Sequence, residues 1–501
     1  MRIGVFVLWG VTCATVMGAV GARGQTAERV MIDATAEAKP FPHFWEQSFG
    51  SGRAILSLRE SYRNDLREVK KVTDFRYMRF DAIFHDELGV YDEDEAGRPQ
   101  FNFTYVGQVY DGLLDNGVRP IVEISFMPKK LAVRQDLHPF WYKQNVAPPK
   151  DYAKWDELIR KFARFLVDRY GIDEVSQWYF EVWNEPNIDF WSGEPKQATY
   201  FELYDHTARA LKAVKARLRV GGPATSSAHW VDDFLAHAAK ENVPVDFVST
   251  HGYSDDTVED LFGTHEEIPI EKRACKAVEK VHKQILASAY PKLPLFWTEW
   301  NVSGYGELHA GDTSYSATAT AQTIHDCDGM VDIVSFWAFS DVFEEGGPAR
   351  EPFYGGFGLI APGGIKKPSY YAFSLFHKLG RTRLAATAEN VLVTKRDDGR
   401  LAIVIWNLWP PNQSGSVRDF DLEFRGVKGA KRVRISRIDA EHSNAMAVYK
   451  SLGSPRYPTE KQVEEINRRT APGQPEETAI RDGHLVLRLP VNGFALLEVE
   501  P

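Results

Sequence analysis

Two glutamates in this 501-residue chain occupy similar places, each at the end of an apolar run and beside tryptophan and asparagine. Glu185 follows Trp178–Asn184 and precedes Pro186, and proline removes a backbone donor and restricts the residue before it. Glu299 ends the run that starts at Leu295. Hydrolysis of a glycosidic bond needs two facing carboxyl groups, one protonated to donate to the leaving oxygen and one ionised to attack or stabilise the anomeric carbon. A single such glutamate is equally typical of a surface ion pair, whereas the pair favours catalysis.

Short apolar runs alternate with amphipathic helical stretches between about residues 40 and 380, and the apolar periodicity is helical in Asp151–Tyr170 and Thr199–Leu218. This alternation indicates parallel strands joined by right-handed crossovers. The eight predicted strands are His43–Phe49, Phe75–Phe80, Arg119–Ile124, Gln177–Trp183, Arg219–Gly222, Phe247–Thr250, Leu295–Glu299 and Ile333–Phe339.

We therefore predict an α/β fold, a (β/α)8 TIM barrel, over residues 41–380. A doubly wound open sheet is the alternative, but no glycine-rich turn follows the first strand. In the barrel, Glu185 and Glu299 lie at the carboxyl ends of the fourth and seventh strands, which is where the active sites of such barrels are built.

Beyond residue 380 the pattern changes to short strands separated by turns, which predicts an all-β, sandwich-like domain over residues 381–501. The segment 25–40 is a candidate strand of the same domain. We interpret Ser451–Glu477, which is rich in Pro, Glu and Arg, as a surface loop. The predicted strands are Val391–Lys395, Leu401–Leu408, Asp419–Phe424, Lys431–Ile438, His484–Leu489 and Phe494–Glu500.

Further motifs accompany Asn184–Asn187 and Thr298–Asn301. They are Gly50–Arg53, Ile121–Lys130, Ser249–Tyr253, Phe336–Glu345, Gly355–Ile360 and Lys366–Phe373. Together these motifs resemble glycoside hydrolase family 39, the β-xylosidase and α-L-iduronidase family among the retaining glycosidases of clan A. The resemblance covers about residues 40–380. It implies a TIM barrel with a C-terminal β domain and a retaining mechanism, with the two carboxyl groups about 5–5.5 Å apart.

The same resemblance implies roles for individual residues. Glu185 is the general acid/base and Glu299 is the nucleophile, while Asn184 hydrogen-bonds the 2-hydroxyl of the bound sugar. The other implied site residues are His251 lining the pocket near the nucleophile, Phe190 and Trp337 as apolar faces for the sugar, Glu344 and Glu345 as acceptors for its hydroxyls, and Arg79 as a cation that holds the nucleophile ionised.

One position departs from the family's pattern. Asp81 stands where xylosidases of the family carry histidine at the subsite for the terminal sugar. A carboxylate accepts hydrogen bonds and repels another anion, whereas imidazole can also donate. Asp81 therefore weakens the expectation of xylose, disfavours a uronic acid in that subsite, and makes an arabinose-type or other neutral sugar an alternative.

Composition and charge exclude some classes of function. The net charge is −9, with both signs scattered along the chain, so no concentrated basic face is available for nucleic acid. The 14 histidines show no His-Glu-x-x-His spacing and the cysteines form no cluster, so we expect no metal and no cofactor. The partner that we expect is an oligosaccharide or glycoside.

The N-terminus is typical of a signal peptide over residues 1–24, with Arg2, an apolar run Ile3–Val20 and small residues at the cleavage site. We therefore expect export to the periplasm or the extracellular space, with no membrane association after cleavage. Cleavage leaves Cys275 and Cys327, which either pair or remain two buried thiols.

The sequence thus predicts an exported retaining glycoside hydrolase that removes terminal sugars from plant-type oligosaccharides, with β-xylosidase as the first expectation. The alternative within the family is an arabinosidase-type or other neutral-sugar enzyme. A catalytically silent carbohydrate-binding protein is the alternative from another class, because fold alone does not imply activity.

Overall fold

The structure is a computed structural model that describes residues 27–304, 309–411, 413–427, 429 and 432–500. The predicted signal peptide lies outside the described residues. The N-terminal segment forms two strands, β1 (Glu28–Asp33) and β2 (Ala38–Pro40). Within the described ranges, no helix is both long and apolar enough to cross a membrane.

Strands and helices then alternate up to residue 376. The strands are β3 (Ser48–Gly50), β4 (Tyr77–Phe80), β5 (Tyr91–Glu93), β6 (Pro99–Phe101), β7 (Arg119–Ile124), β8 (Tyr179–Val182), β9 (Arg219–Thr225), β10 (Phe247–His251), β11 (Leu295–Trp300), β12 (Ile333–Phe336), β13 (Ile360–Ala361) and β14 (Ile365–Lys366). The α-helices are α1 (Glu60–Lys70), α2 (Thr104–Leu114), α3 (Tyr152–Tyr170), α4 (Ile172–Val175), α5 (Lys196–Val214), α6 (Val231–Glu241), α7 (Val258–Phe262), α8 (Ile270–Ala287), α9 (Tyr315–Cys327) and α10 (Pro368–Phe376).

Eight of these strands close into one parallel barrel, in the order β3, β4, β7, β8, β9, β10, β11 and β12. This arrangement confirms the predicted (β/α)8 fold. The first strand is shorter than predicted and begins at Ser48, because Phe44 and Trp45 are buried in a turn that precedes it. The short hairpins β5–β6 and β13–β14 were not predicted; they lie outside the barrel sheet.

The C-terminal region is a β-sandwich that carries two helices. Its elements are β15 (Thr382–Leu384), β16 (Val391–Lys395), β17 (Leu401–Asn407), β18 (Arg418–Arg425), β19 (Arg432–Ile438), α11 (Ala445–Ser451), α12 (Glu460–Thr470), β20 (Glu476–Ala479), β21 (His484–Leu489) and β22 (Gly493–Glu500). A seven-stranded sheet in the order β2-β15-β16-β17-β22-β19-β20 packs on a three-stranded sheet in the order β1-β18-β21. Both strands of residues 28–40 therefore belong to this domain.

The central strand β17 of the larger sheet is buried on both faces, which explains its unbroken apolar sequence. Side chains alternate between the faces of a strand, so Leu401 and Ile403 join the core of the sandwich while Val404 and Trp406 join the core of the barrel domain. The Trp406 indole donates to Gln322 on α9 (3.0 Å). The sandwich is thus packed directly against helices of the barrel.

The segment Ser451–Glu477, predicted as a surface loop, contains a helix instead. Residues 460–470 form α12, which begins with a reciprocal capping box between Thr459 and Gln462. Ile466 on this helix is buried together with Phe353 and Ile365 of the barrel domain. Charged residues dominate the sequence of α12, so the few apolar positions that pack against the barrel domain, such as Ile466, do not form a recognisable pattern.

Cys275 and Cys327 form a disulfide between α8 and α9, which decides the alternative that the sequence left open. These two helices precede and follow β11, the strand that carries Glu299. The bridge closes a loop with a sequence separation of 52 residues. A cross-link of this kind stabilises a protein mainly by restricting its unfolded chain.

We predict that replacing both cysteines by alanine lowers the free energy of unfolding by about 2–4 kcal/mol, because the unfolded chain regains the freedom of the closed loop. Denaturant unfolding under non-reducing conditions measures this change. Activity at low temperature should persist, since neither cysteine reaches the barrel mouth. An unchanged unfolding midpoint would contradict the bridge.

Candidate active site

The structure brings Glu185 and Glu299 together at the carboxyl end of the barrel. Glu185 follows β8 with its backbone in the left-handed region (φ 42°), and its amide donates to the carbonyl of Ala224 near the end of β9 (2.8 Å). Glu299 lies in β11. One oxygen of each carboxylate and one ring nitrogen of His251 all lie within 4.8 Å of one another. This spacing fits the about 5–5.5 Å of retaining enzymes, and inverting chemistry needs about 6.5–9.5 Å.

A single buried arginine joins three strands below this pair. Arg79 on β4 has no exposed surface and lies 2.7 Å from Glu123 on β7, 2.6 Å from Glu181 on β8 and 2.6 Å from Glu299 on β11. We call these four residues the arginine hub. Nη2 of Arg79 also donates to Oδ1 of Asn184 (2.9 Å). Arg79 therefore fixes the positions of Glu299 and Asn184, which were both predicted as site residues.

The hub holds more carboxyl groups than one guanidinium can neutralise, so the protons are distributed unequally. Burial raises the pKa of Glu123 well above its usual value despite Arg79, and Oε1 of Glu123 accepts from the Ser125 hydroxyl. Burial also opposes ionisation of Glu181, but Arg79 and the hydrogen bonds to this carboxylate, one of them from the Thr298 hydroxyl, together hold its pKa below the usual value. Glu123 is accordingly the protonated member and Glu181 an ionised one.

The two carboxyl groups of the pair differ in their donors. Glu299 receives Nη1–H of Arg79 on Oε1 and the Tyr253 hydroxyl on Oε2, both at 2.6 Å. Burial raises the pKa of Glu299, and Arg79 acts against this shift. Burial raises the pKa of Glu185 to about 7, opposed by the more distant Arg79. Because the pair shares one negative charge, that charge resides on Glu299, where two donors meet it, and the proton resides on Glu185.

His251 was expected to line the pocket, but it has no exposed surface and lies behind the carboxyl pair. Its Nδ1 is 3.0 Å from Glu185 and 3.7 Å from Glu299. Burial lowers the pKa of His251 to about 4, so the ring is neutral near pH 7. A neutral ring leaves the proton of the pair on Glu185.

A cavity of about 280 Å³ opens above the pair. Its lining residues are Asp81, Phe140, Asn184, Glu185, Ile188, Phe190, Ser226, Tyr253, Glu299, Gly304, Trp337, Glu345 and Phe357. The Trp337 ring packs on Gly50, where any Cβ would lie 2.1 Å from it. Glycine at this position of the first barrel strand therefore lets the indole form part of the pocket wall. Of the predicted site residues, Asp81, Asn184, Phe190, Trp337 and Glu345 face this cavity with the two glutamates.

Asp81 is buried, and its two oxygens have different environments. Oδ2 accepts from the Tyr142 hydroxyl (2.6 Å), whereas Oδ1 has no partner among the described residues. Burial raises the pKa of Asp81 to about 6, partly offset by the bond from Tyr142. Glu345 is half-buried nearby, and burial together with Asp81 raises its pKa well above the usual value. Asp81 Oδ1 and the Glu345 carboxyl therefore retain acceptor capacity beside the pocket.

Glu344 does not line the pocket, which differs from the expectation. It pairs instead with Arg53 (3.0 Å) and Arg59 (2.5 Å). Burial opposes its ionisation, but the two arginines hold its pKa below the usual value. The Arg53 guanidinium also stacks 4.8 Å from the centre of the Tyr142 ring, and Tyr142 binds Asp81. Glu344 is thus linked to the pocket residue Asp81 through Arg53 and Tyr142.

Several residues that build the site were not identified from the sequence. Tyr253 lies two residues after His251 within a motif that was noted, but nothing local shows that its hydroxyl reaches Glu299. Glu123 and Glu181 carried a usable signal, because an acidic residue inside an otherwise apolar strand needs a buried partner. Tyr142 lies in the long segment between β7 and α3, where no periodicity indicates its position.

Glu185, His251 and Glu299 include donor types that also bind metal ions. Both oxygens of Glu299 already accept short hydrogen bonds from Arg79 and Tyr253, and the guanidinium would repel a cation at this distance. The donor set therefore fits proton transfer and nucleophilic attack better than it fits a metal ion.

Comparison with known proteins agrees with this geometry. The family model described as glycosyl hydrolases family 39 matches residues 28–483. A β-xylosidase of Geobacillus stearothermophilus is 38% identical over 474 residues, which cover 92% of this chain and 93% of that protein. A β-xylosidase of Caldicellulosiruptor saccharolyticus is 36% identical over 431 residues, covering 84% and 87%.

Among solved structures, a monomeric β-xylosidase from Caulobacter crescentus CB15 is 35% identical and superposes with a TM-score of 0.85, over 95% of this chain and 100% of that one. These findings confirm the family that the motifs predicted. The chain belongs to glycosyl hydrolase family 39 and is a retaining glycosidase.

Proposed function

We propose that this protein is an exported β-xylosidase that removes single terminal sugars from plant-type oligosaccharides. The observation that carries the proposal is the small pocket of about 280 Å³ with a carboxyl pair of retaining spacing at its base. A pocket of this size suits one sugar ring rather than a chain. Both relatives compared above are β-xylosidases and align along most of this chain, which supports the choice of sugar.

The charge of the pocket favours a neutral sugar. Asp81, Glu185, Glu299 and Glu345 contribute four carboxyl groups, and no lysine or arginine is among the described residues that line it. A sugar carboxylate would meet these groups without a cation to balance it. Arg79 is not available for that purpose, because the three carboxyl groups of the hub and Asn184 already occupy it.

The reaction follows two displacements. Glu299 attacks the anomeric carbon and forms a glycosyl ester, while Glu185 gives its proton to the leaving oxygen as the glycosidic bond breaks. Glu185, now ionised, takes a proton from water, which attacks the anomeric carbon and releases Glu299. The sugar leaves with its original anomeric configuration, and both carboxyl groups return to their starting states.

Other residues hold the sugar during these steps. Oδ1 of Asn184 is engaged by Arg79, so its NH₂ group is directed to donate to the 2-hydroxyl beside Glu299. Phe190 and Trp337 offer apolar faces to the ring, and Glu345 accepts from its hydroxyls. Tyr253 steadies the nucleophile and loses its bond to Oε2 when that oxygen becomes part of the ester.

A second candidate is an arabinosidase-type or other neutral-sugar enzyme on the same site. Asp81 favours it, because its unpaired buried oxygen selects for a sugar with a hydroxyl donor at that position. The two candidates share the mechanism and differ in the neutral sugar that fills the pocket.

Export is supported by two features. Residues 1–24 have the pattern of a signal peptide. The Cys275–Cys327 bridge is of a kind that persists in oxidising compartments and is rare in the cytosol.

We predict that Glu299→Ala abolishes turnover of every glycoside, because no ester can form. Glu185→Ala should spare the release of an activated nitrophenol but lower kcat/KM for natural linkages about 10²–10⁴-fold. Added azide should then attack the trapped ester and give a glycosyl azide of retained configuration. Nitrophenyl glycosides and xylo-oligosaccharides measured side by side test this, and equal losses on both would remove the acid role from Glu185. Binding without turnover by the unaltered protein would indicate a carbohydrate-binding protein.

The pH dependence should follow the proton on Glu185. Because that proton is required and the pKa is about 7, kcat/KM for natural linkages should fall as the pH rises through about 7. Activity should fall again at lower pH, where Glu299 becomes protonated. Substrates with activated leaving groups should keep more activity on the alkaline side. An alkaline limb that is identical for both substrate types would contradict this assignment.

We predict that Asp81→His changes the choice of sugar more than the stability. A hydrogen bond to a charged group is worth about 1.5–3 kcal/mol, so the ratio of kcat/KM for β-xylosides and α-L-arabinosides should change about tenfold or more. Asp81→Asn is the matched control, since it keeps the shape and removes the charge. A constant ratio together with a large fall in melting temperature would make Asp81 a structural residue.

A further inference from the structure

The sugar pocket continues into two larger cavities. The first, of about 910 Å³, shares Phe140, Gly304, Glu345 and Phe357 with the pocket. The second, of about 660 Å³, shares His309, Arg350 and Glu351 with the first. The three cavities form one path that leads outward from the carboxyl pair. We call the two outer cavities the leaving-group groove, because a chain whose terminal sugar fills the pocket must leave by this path.

The sandwich domain builds the far wall of the groove. Met446, Tyr449 and Lys450 of α11 line the second cavity and lie three and four residues apart, on one face of the helix. The Tyr449 ring packs 5.0 Å from the ring of Phe353 in the barrel domain. This wall is therefore held against the barrel.

An exposed aromatic side chain packs against Gly347, which lines the first cavity of the groove. Trp141 is 61% exposed and lies over Gly347, where an added Cβ would come within 3.2 Å of the indole. Its backbone amide donates to the carbonyl of Glu345 (2.8 Å), which places it beside the sugar pocket. One face of the indole thus covers Gly347 and leaves the rest of the ring open to a neutral sugar unit of the leaving group.

The outer end of the groove is cationic, in contrast to the acidic sugar pocket. Arg350, Lys450 and Arg456 line the second cavity, and all three are exposed and form no ion pair with a described residue. Glu351 is the one acidic residue among the described lining of that cavity. Nε of Arg456 donates to the backbone carbonyl of Arg350 (3.1 Å), which holds the Arg456 guanidinium against that segment.

We propose that the leaving-group groove binds an oligosaccharide that carries a carboxylate, as a uronic acid substituent does. The proposal rests on the proposed function and adds the class of leaving group. The sugar pocket holds the ionised Glu299 and no lysine or arginine among its described lining, so it disfavours an anion, and the three cations attract one at the outer end. A substrate with a neutral terminal sugar and an acidic unit further along is thereby oriented for cleavage. Guanidinium groups suit this task because they bind carboxylates through two parallel hydrogen bonds.

The test compares three substrates: nitrophenyl β-xyloside, a linear neutral xylo-oligosaccharide, and the same oligosaccharide with a glucuronic acid branch on the leaving-group side. We expect the unaltered protein to cleave the acidic oligosaccharide with roughly 3- to 30-fold higher kcat/KM than the neutral one, mainly through KM. This preference should shrink when salt is raised from about 0.02 M to about 0.5 M, because exposed charges are screened.

The triple variant Arg350→Ser, Lys450→Ser and Arg456→Ser should lose the preference and keep its activity on nitrophenyl xyloside, which does not reach the outer cavity. The charge-matched control is Lys161→Ser, Lys292→Ser and Lys378→Ser, since these exposed residues line none of the three cavities. The control should retain the preference.

Equal kcat/KM for both oligosaccharides, or a preference that survives in the groove variant, would overturn the proposal while leaving a xylosidase intact. Failure of the unaltered protein to cleave any xyloside would instead contradict the proposed function. Calorimetric binding of the acidic and neutral oligosaccharides, compared between the unaltered protein and the groove variant, then tests the groove without turnover. Equal affinities would overturn the proposal in that case as well.

Discussion

The arginine hub is the interaction on which the rest of the site depends. Arg79 is buried at the centre of the barrel and contacts carboxyl groups on three different strands. A buried charge without a partner costs several kcal/mol, so neither the arginine nor its ionised partners can be accommodated alone. The hub therefore couples the closure of the barrel to the placement of the nucleophile. The hub adds little net free energy of folding, but it specifies the geometry of the site, because only the closed barrel brings the carboxyl groups to Arg79.

The hub also explains why two similar glutamates perform opposite tasks. Glu299 contacts the guanidinium directly and receives a second hydrogen bond from Tyr253, whereas Glu185 contacts a buried, neutral His251. Placing the histidine where burial lowers its pKa keeps a second positive charge away from Glu185. The proton needed by the leaving group remains on Glu185 for that reason, and the charge needed for attack remains on Glu299.

The sequence predicted those features that repeat along the chain. The alternation of strands and helices indicated the barrel, and the apolar runs ending in Glu185 and Glu299 indicated the strand ends that carry the pair. Contacts between distant residues left no such pattern: Arg79 and Glu299 are 220 residues apart, and Tyr253 reaches Glu299 across 46. Glu344 and Glu345 are neighbours with the same side chain, yet one faces two arginines and the other faces the pocket. Such differences depend on the conformation of the loop, and no local sequence pattern indicates that conformation.

The helix α12 was not predicted from the sequence, and it attaches part of the sandwich domain to the barrel. Its charged composition indicated a loop, although Thr459 and Gln462 have the spacing of a capping box, which marks the start of a helix. The helix matters because Asn467 on it bonds to the carbonyl of Gly364 (2.8 Å) and the amide of Lys366 (2.9 Å). These bonds attach the segment between β19 and β20 to the barrel, and the same segment carries the α11 residues that line the groove. The sandwich domain, which has a core of its own, thereby supplies part of the surface that a leaving group contacts.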